Sequence, residues 1–142
     1  MNLESHSWTW TKECAFPSDM GTAHNLIGEV MEVVRAAQWN EKDLFAIELA
    51  LEESLTNAVR HGNGADPSKN VRFDFKLSQN MIYVRIEDEG RGFQPESLAD
   101  PREPGNQLIE AGRGVLLIRH FATRVAWNDR GNVIEFEKDR SC

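Results

Sequence analysis

Between Ser18 and about Gln38, the apolar positions Leu26, Ile27, Val30, Met31, Val33 and Val34 recur at helical spacing, which predicts a first helix. Pro17 and Ser18 separate it from residues 7–16, SWTWTKECAF, whose alternation predicts a strand with Trp8 and Trp10 on one face. A second helical stretch opens at Asn40, a good N-cap, with Glu41 and Asp43 in the first turn, where the helix dipole favours negative charge. It runs to about His61, and HGNGADPSKN ends it with glycines and a proline. Two alternating runs, VRFDFKL at 71–77 and MIYVRIED at 81–88, predict an antiparallel hairpin about the turn SQN. From Gly90 to Gly114 the periodicity is lost in favour of glycines and Pro95, Pro101 and Pro104. A connection longer than about 12 to 15 residues inside a compact domain is usually a functional lid or a disordered segment. A short helix, GVLLIRHFA, and the strands RVAWN and NVIEFEK about the turn DRG complete the chain. This order predicts an α+β fold, with helices packed on one face of a mostly antiparallel sheet.

Composition narrows the picture. The chain has 142 residues, 40% hydrophobic and 27% charged, which fits one ordinary globular domain over residues 1–142. A chain of about 150 residues buries roughly 70% of its unfolded surface, so neither disulfides nor a structural metal is needed. Cys14 and Cys142 sit near opposite ends, match no metal-ligand spacing, and read as reduced thiols of a cytoplasmic protein. The net charge is -7, from 16 Lys and Arg against 23 Asp and Glu, with no basic run, which argues against direct binding of nucleic acid. The longest apolar run, VLLI at 115–118, is far short of the about 20 residues of a membrane span. The start, MNLESHSWTW, lacks the basic and apolar segments of a signal peptide. A soluble, cytoplasmic protein with no membrane contact is the expectation.

Candidate chemistry begins in LEESLTNAVRHGN, residues 51–63. Glu53, Asn57 and His61 stand four residues apart and stack along one stripe of a helix. Leu44, Ile47, Leu51, Leu55 and Ala58 occupy the other side, which is expected to meet the sheet. A solvated helix face explains such a stripe on spacing alone. Against it, Ala46, Leu49 and Ala50 neighbour the stripe, so the polar groups emerge from an apolar surface. Asn gains nothing from a mid-helix position, whereas its amide oxygen is a hard ligand for Mg²⁺, and a Glu one turn earlier can take a proton from a nucleophile.

Two glycine-rich pieces follow. In EDEGRGF, residues 87–93, a strand ends in Asp88 and runs into Gly90 and Gly92. A strand passing into a loop explains it; alternatively, Asp88 holds a ligand's exocyclic amine while the glycines let backbone come close. In EAGRGVLLI, residues 110–118, Gly112 and Gly114 precede a helix. A flexible helix start explains that piece, and an anion site, with free N–H groups facing a phosphate, is the functional alternative.

Taken together and in this order, ESLTNAVRHG, DEGRGF and GRGVLLI resemble the N, G1 and G2 boxes of the GHKL (histidine-kinase-like) ATPase superfamily. The likeness spans roughly residues 15–138, and the short single-domain chain is similar to bacterial anti-sigma factor serine/threonine kinases of partner-switching systems. The resemblance implies a two-layer α/β sandwich with a mixed, mostly antiparallel sheet and ATP and Mg²⁺ as cofactors. It makes Glu53 the general base, Asn57 the metal ligand and His61 an orienting residue near the phosphates. It also makes Asp88 the acceptor for the adenine amine, beside Gly90 and Gly92. Gly112 and Gly114 would offer N–H groups to the phosphates, with Arg113 between them, and residues 94–111 would form the ATP lid. The implied activity is phosphorylation of an anti-sigma factor antagonist on serine or threonine, together with binding of a sigma factor or another regulator.

The chain departs from such kinases at Glu110, where an arginine is frequent, and at Asn132 and Val133, where threonine often lies beside adenine. A nucleotide-binding regulatory module that sequesters a partner with little or no transfer is the alternative. The ATP-binding part of a histidine kinase fits less well, because no helix pair carrying a phosphoacceptor histidine precedes the domain. For Trp8 and Trp10, pairing across a homodimer and core burial both remain open.

Overall fold

The structure, a computed structural model, describes Leu3 and residues 6–91 and 110–142, with the side chains of Glu110 and Ala111 excepted. Gly92 and residues 94–109 of the expected lid lie outside the described residues.

Strand β1 is Trp8–Pro17, and helices α1, Met20–Ala36, and α2, Glu41–Thr56, follow it. Asp19 caps α1 by accepting from the Thr22 N–H at 3.0 Å, and Asn40 caps α2 by accepting from the Asp43 N–H at 2.8 Å. The chain then forms the hairpin β2, Asn70–Ser78, and β3, Met81–Glu87, helix α3, Glu110–Phe121, and the hairpin β4, Arg124–Trp127, and β5, Val133–Asp139. The five strands lie in the order β1-β2-β3-β5-β4. The sheet was expected to be mixed; among the described residues every pairing is antiparallel.

The period-two pattern sorts the sheet's faces. Val71, Phe73, Phe75 and Leu77 on β2, Ile82, Val84 and Ile86 on β3, and Ile134 and Phe136 on β5 join one core with α1, α2 and Ile118 of α3. Phe75 stands opposite Val84, which in turn stands opposite Phe136. The other face carries Arg72, Asp74, Lys76, Arg85 and Glu87, so the fold has two layers with all helices contributing to one core. The apolar side expected for the second helical stretch is buried throughout, from Leu44 to Leu55 in α2 and on to Ala58 beyond it. Proline is tolerated at the end of β1 because that strand is an edge.

Three boundaries differ from the periodic reading. A register shift between Trp8 and Trp10 gives the pair different neighbours: Trp10 meets Phe75 edge-on at 5.8 Å, and Trp8 lies beside His6 at 5.2 Å. The last turns of the second helix, Asn57–Gly62, wind as a π-helix. Helix α3 starts at Glu110, so Gly112 and Gly114 lie inside it rather than before it.

The C-terminus ties back across the helical layer. Arg140 donates to the Ala37 and Gln38 carbonyls at 3.2 and 2.9 Å and stacks over Trp39. Buried Asp43 accepts from the Ser141 amide and hydroxyl at 2.8 and 2.6 Å and faces the Lys138 ammonium at 3.3 Å.

Candidate functional site

Asp88 follows β3 and is buried. Its N–H donates to the Asn132 carbonyl at 2.9 Å, and the Asn132 Nδ2 donates back to the Asp88 carbonyl at 3.1 Å, fixing the loop to the start of β5. The Gly90 N–H donates to Asp88 Oδ1 at 2.8 Å, and Arg130 donates to the Gly90 carbonyl at 2.7 Å. A Cβ on Gly62 would stand 2.4 Å from the Asp88 carboxyl, and one on Gly90 would stand 2.0 Å from the Gly62 carbonyl oxygen. Only glycines let the end of the π-helical turn lie on this loop. Burial pushes the Asp88 carboxyl above the usual range, against the pull of the Gly90 N–H and the Arg130 charge.

A cleft opens above Asp88 with Ile86, Ile118, Ile134 and Trp127 as apolar walls and Ser54, Asn57 and Asn132 as polar lining. Apolar walls with one buried carboxylate match the chemistry of a flat heteroaromatic ring that carries an exocyclic amine, but the space between them is about 20 Å³, room for a single water, so a ring enters only when the walls part.

Beyond Asn57 lies a second, polar cleft. Glu53, Asn57, His61 and Arg113, all singled out from the sequence, line it together with Arg60 and Leu117. Asn57 is buried and borders both clefts, whereas Glu53 is half-buried and His61 exposed. The polar stripe is therefore a partly covered cleft wall rather than a solvated face. The cover is α3: a Cβ on Gly114 would stand 3.0 Å from both Asn57 Nδ2 and Glu53 Oε2, and 3.2 Å from Asn57 Oδ1. Glycine at 114 lets one helix lie on the other's polar stripe.

The π-helical turn begins at Asn57 itself and closes with the Asn63 N–H on the Ala58 carbonyl at 2.9 Å. Such winding is rare and concentrates at functional sites. Asn63 anchors the exit: its Nδ2 donates to Ser18 Oγ at 2.8 Å and its Oδ1 accepts from the Glu89 N–H at 2.7 Å.

Gly112 lies in the first turn of α3, where N–H groups have no partner within the helix. Gly114 lies past that turn, where the N–H is committed to the helix ladder, so its contribution is space rather than the expected phosphate donor. Among the described residues, no group of three or more His, Cys, Asp and Glu could hold a metal. A single buried carboxamide oxygen, Asn57 Oδ1 at the border of the two clefts, is chemically suited to Mg²⁺, which keeps several waters and takes much of its coordination from substrate phosphates.

Periodic reading missed Arg60, Ser54, Trp127 and Arg130. Arg60 was within reach, since it stands three residues after Asn57 on the same helical side. Ser54, three residues before Asn57, was within reach in the same way, whereas Trp127 and Arg130 enter only through packing between distant segments. Asn132, noted as a departure, borders the first cleft and clamps Asp88.

Residues 16–138 match the family described as histidine kinase-like ATPase domain. The chain is 25% identical over 138 residues to the serine-protein kinase RsbW of Oceanobacillus iheyensis, covering 93% of this chain and 85% of that one. It is 30% identical over 104 residues to the anti-sigma F factor of Clostridium perfringens, covering 68% of this chain and 73% of that one. Among solved structures, a Mycobacterium tuberculosis protein described by its RsbU and RsbW domains superposes with a TM-score of 0.60 at 15% identity, over 93% of this chain and 32% of that one. That likeness bears on the fold. Among the described residues, no helix is long and apolar enough to cross a membrane.

Proposed function

The chain belongs to the histidine kinase-like ATPase domain family, and from that premise we propose that it is an ATP-dependent serine/threonine protein kinase of a bacterial partner-switching system. Acting in the cytoplasm, it phosphorylates an anti-sigma factor antagonist and binds a sigma factor or similar regulator. The names of its relatives, a serine-protein kinase and an anti-sigma F factor, support both halves of this reading. The observation that carries it is that Asn57 joins two clefts, one apolar and ending in a carboxylate, the other polar and holding Glu53.

Adenine enters the apolar cleft as its walls part, with its amine donating to Asp88. The phosphates point past Asn57 into the polar cleft, where Arg60 and Arg113 add positive charge and His61 orients. Asn57 would hold Mg²⁺, which when bound neutralises charge on the phosphates. Glu53 accepts the proton as the acceptor hydroxyl oxygen forms its bond to the γ-phosphorus and the bond to ADP breaks. Phosphoryl transfer depends mainly on positioning and charge neutralisation, so this small set of groups suffices.

The test is transfer from labelled ATP to a panel of purified anti-sigma factor antagonist proteins. Glu53→Gln is expected to slow transfer by about 10²- to 10⁴-fold with ATP affinity retained. Unchanged transfer removes Glu53 as the base. If the wild type binds ATP and transfers nothing to any panel member, the protein is instead a nucleotide-binding module that sequesters its partner.

A further inference from the structure

Phe45 on α2 is 60% exposed, the one large hydrophobic residue so placed among the described residues. Its ring meets Phe121 of α3 edge-on at 5.6 Å. Half-buried Leu49 follows Phe45 by one turn, and half-buried Leu117 precedes Phe121 by one turn, so apolar positions continue along both helices. The other end of the same helix pair is the polar cleft, where Glu53 and Thr56 meet Arg113 and Leu117. The two ends show that α2 and α3 run antiparallel, with an apolar strip leading from the aromatic pair to the proposed base.

Charge accompanies the strip. Glu48 and Glu52 are exposed on α2 one turn apart, and among the described residues no cation pairs with either. Like charges at this spacing destabilise a helix slightly, and they favour a partner that brings positive charge.

We propose that the strip between Phe45 and Glu53 is the docking surface for the phosphoacceptor protein. It would receive the segment beside the acceptor serine or threonine, through one apolar anchor on Phe45 and Phe121 and a basic residue facing Glu48. This rests on the kinase reading above. The spacing sets a rule for the substrate. Phe45 precedes Glu53 by eight positions, about 12 Å along a helix axis at 1.5 Å per residue. An extended segment covers that distance in about three to four residues, so the anchor stands about three to four residues from the acceptor hydroxyl.

The experiment uses the full chain and the panel member that accepts phosphate fastest. Phe45→Ala and, separately, Glu48→Lys are each expected to raise the KM for that protein about tenfold, with kcat and ATP affinity unchanged, as for lost uniform binding. An acceptor variant with its anchor moved by two residues is expected to lose the same factor. Unchanged KM in both kinase variants overturns the docking surface while the kinase reading stands. If no panel member is phosphorylated by the wild type, the kinase reading fails and the proposal with it. If Phe45→Ala shifts the sedimenting species and leaves KM unchanged, a second copy covers the strip and the proposal is overturned.

Discussion

Gly114→Ala separates the fold from the site. The added methyl would stand 3.0 Å from Asn57 Nδ2 and Glu53 Oε2 and 3.2 Å from Asn57 Oδ1, against ordinary contacts of 3.4–4 Å. Both neighbours are side chains, so each can give by a few tenths of an ångström. Within a helix, alanine is favoured over glycine by about 1 kcal/mol, and an off-rotamer displacement costs about 0.5 to 1.5 kcal/mol. With both side chains displaced, the stability change runs from about zero to a loss of about 2 kcal/mol, or up to about 8 °C in Tm for a domain of this size. Function has no such compensation. A misplacement of about 1 Å can cost on the order of 10²-fold, so a few tenths at both the proposed base and the proposed metal ligand is expected to cost about tenfold in transfer rate.

Gly28→Ala calibrates the comparison. A Cβ at Gly28, on the exposed side of α1, meets nothing within 4 Å, so the variant should gain about 1 kcal/mol of stability and keep wild-type transfer. Thermal melts and single-turnover transfer from labelled ATP measure both quantities. Wild-type transfer and Mg²⁺-dependent ATP affinity in Gly114→Ala would refute the claim that this glycine seats Glu53 and Asn57. An unfolded Gly114→Ala would show that it serves the fold itself.

Asp88 gives a prediction of opposite sign for stability and function. Burial raises its folded pKa, so the native state holds the proton more tightly than the unfolded chain, whose carboxyl titrates at about 3.9. Stability then falls as pH rises between the two values, and charged Asp88 costs stability at neutral pH. Asp88→Asn should raise Tm at pH 7 and lose its advantage in acid, while ATP affinity drops more than tenfold; a lower Tm at pH 7 would contradict this. Asp43 behaves in the reverse way. Burial pushes its carboxyl up, but the Ser141 hydroxyl and amide and the Lys138 charge outweigh it and hold the pKa below the usual range. That stabilisation is present above about pH 3.9 and is lost as pH falls through the folded value. Asp43→Ala should cost about 2 kcal/mol at pH 7 in denaturant titrations, with the gap narrowing below about pH 4; a constant gap would exclude the charge as its source.

Most of the secondary structure is legible along the chain, because backbone geometry converts local spacing directly into faces. The capping role expected of Asn40 is realised in its bond to the Asp43 N–H, and the apolar set from Leu44 to Ala58 is buried as its spacing implies. The stripe of Glu53, Asn57 and His61 is legible for the same reason. Periodicity placed the start of α3 too late, since EAG carries no repeating apolar signal and its glycine is a poor helix former. The π-helical turn was equally invisible: NAVRHG fits an α-helical pattern, and its wider winding accompanies Asn63 anchors on Ser18 and Glu89, distant in the chain.

Residue spacing therefore specified which groups share a helical or strand face, since that depends on a few consecutive backbone angles. Tertiary structure decided which faces meet. It laid Gly114 on Glu53 and Asn57, seated Gly90 on Gly62 above Asp88, and brought Phe121 to Phe45 at the far end of the same helix pair. Those contacts join segments tens of residues apart, where close packing of whole elements, rather than any local preference, sets the distances.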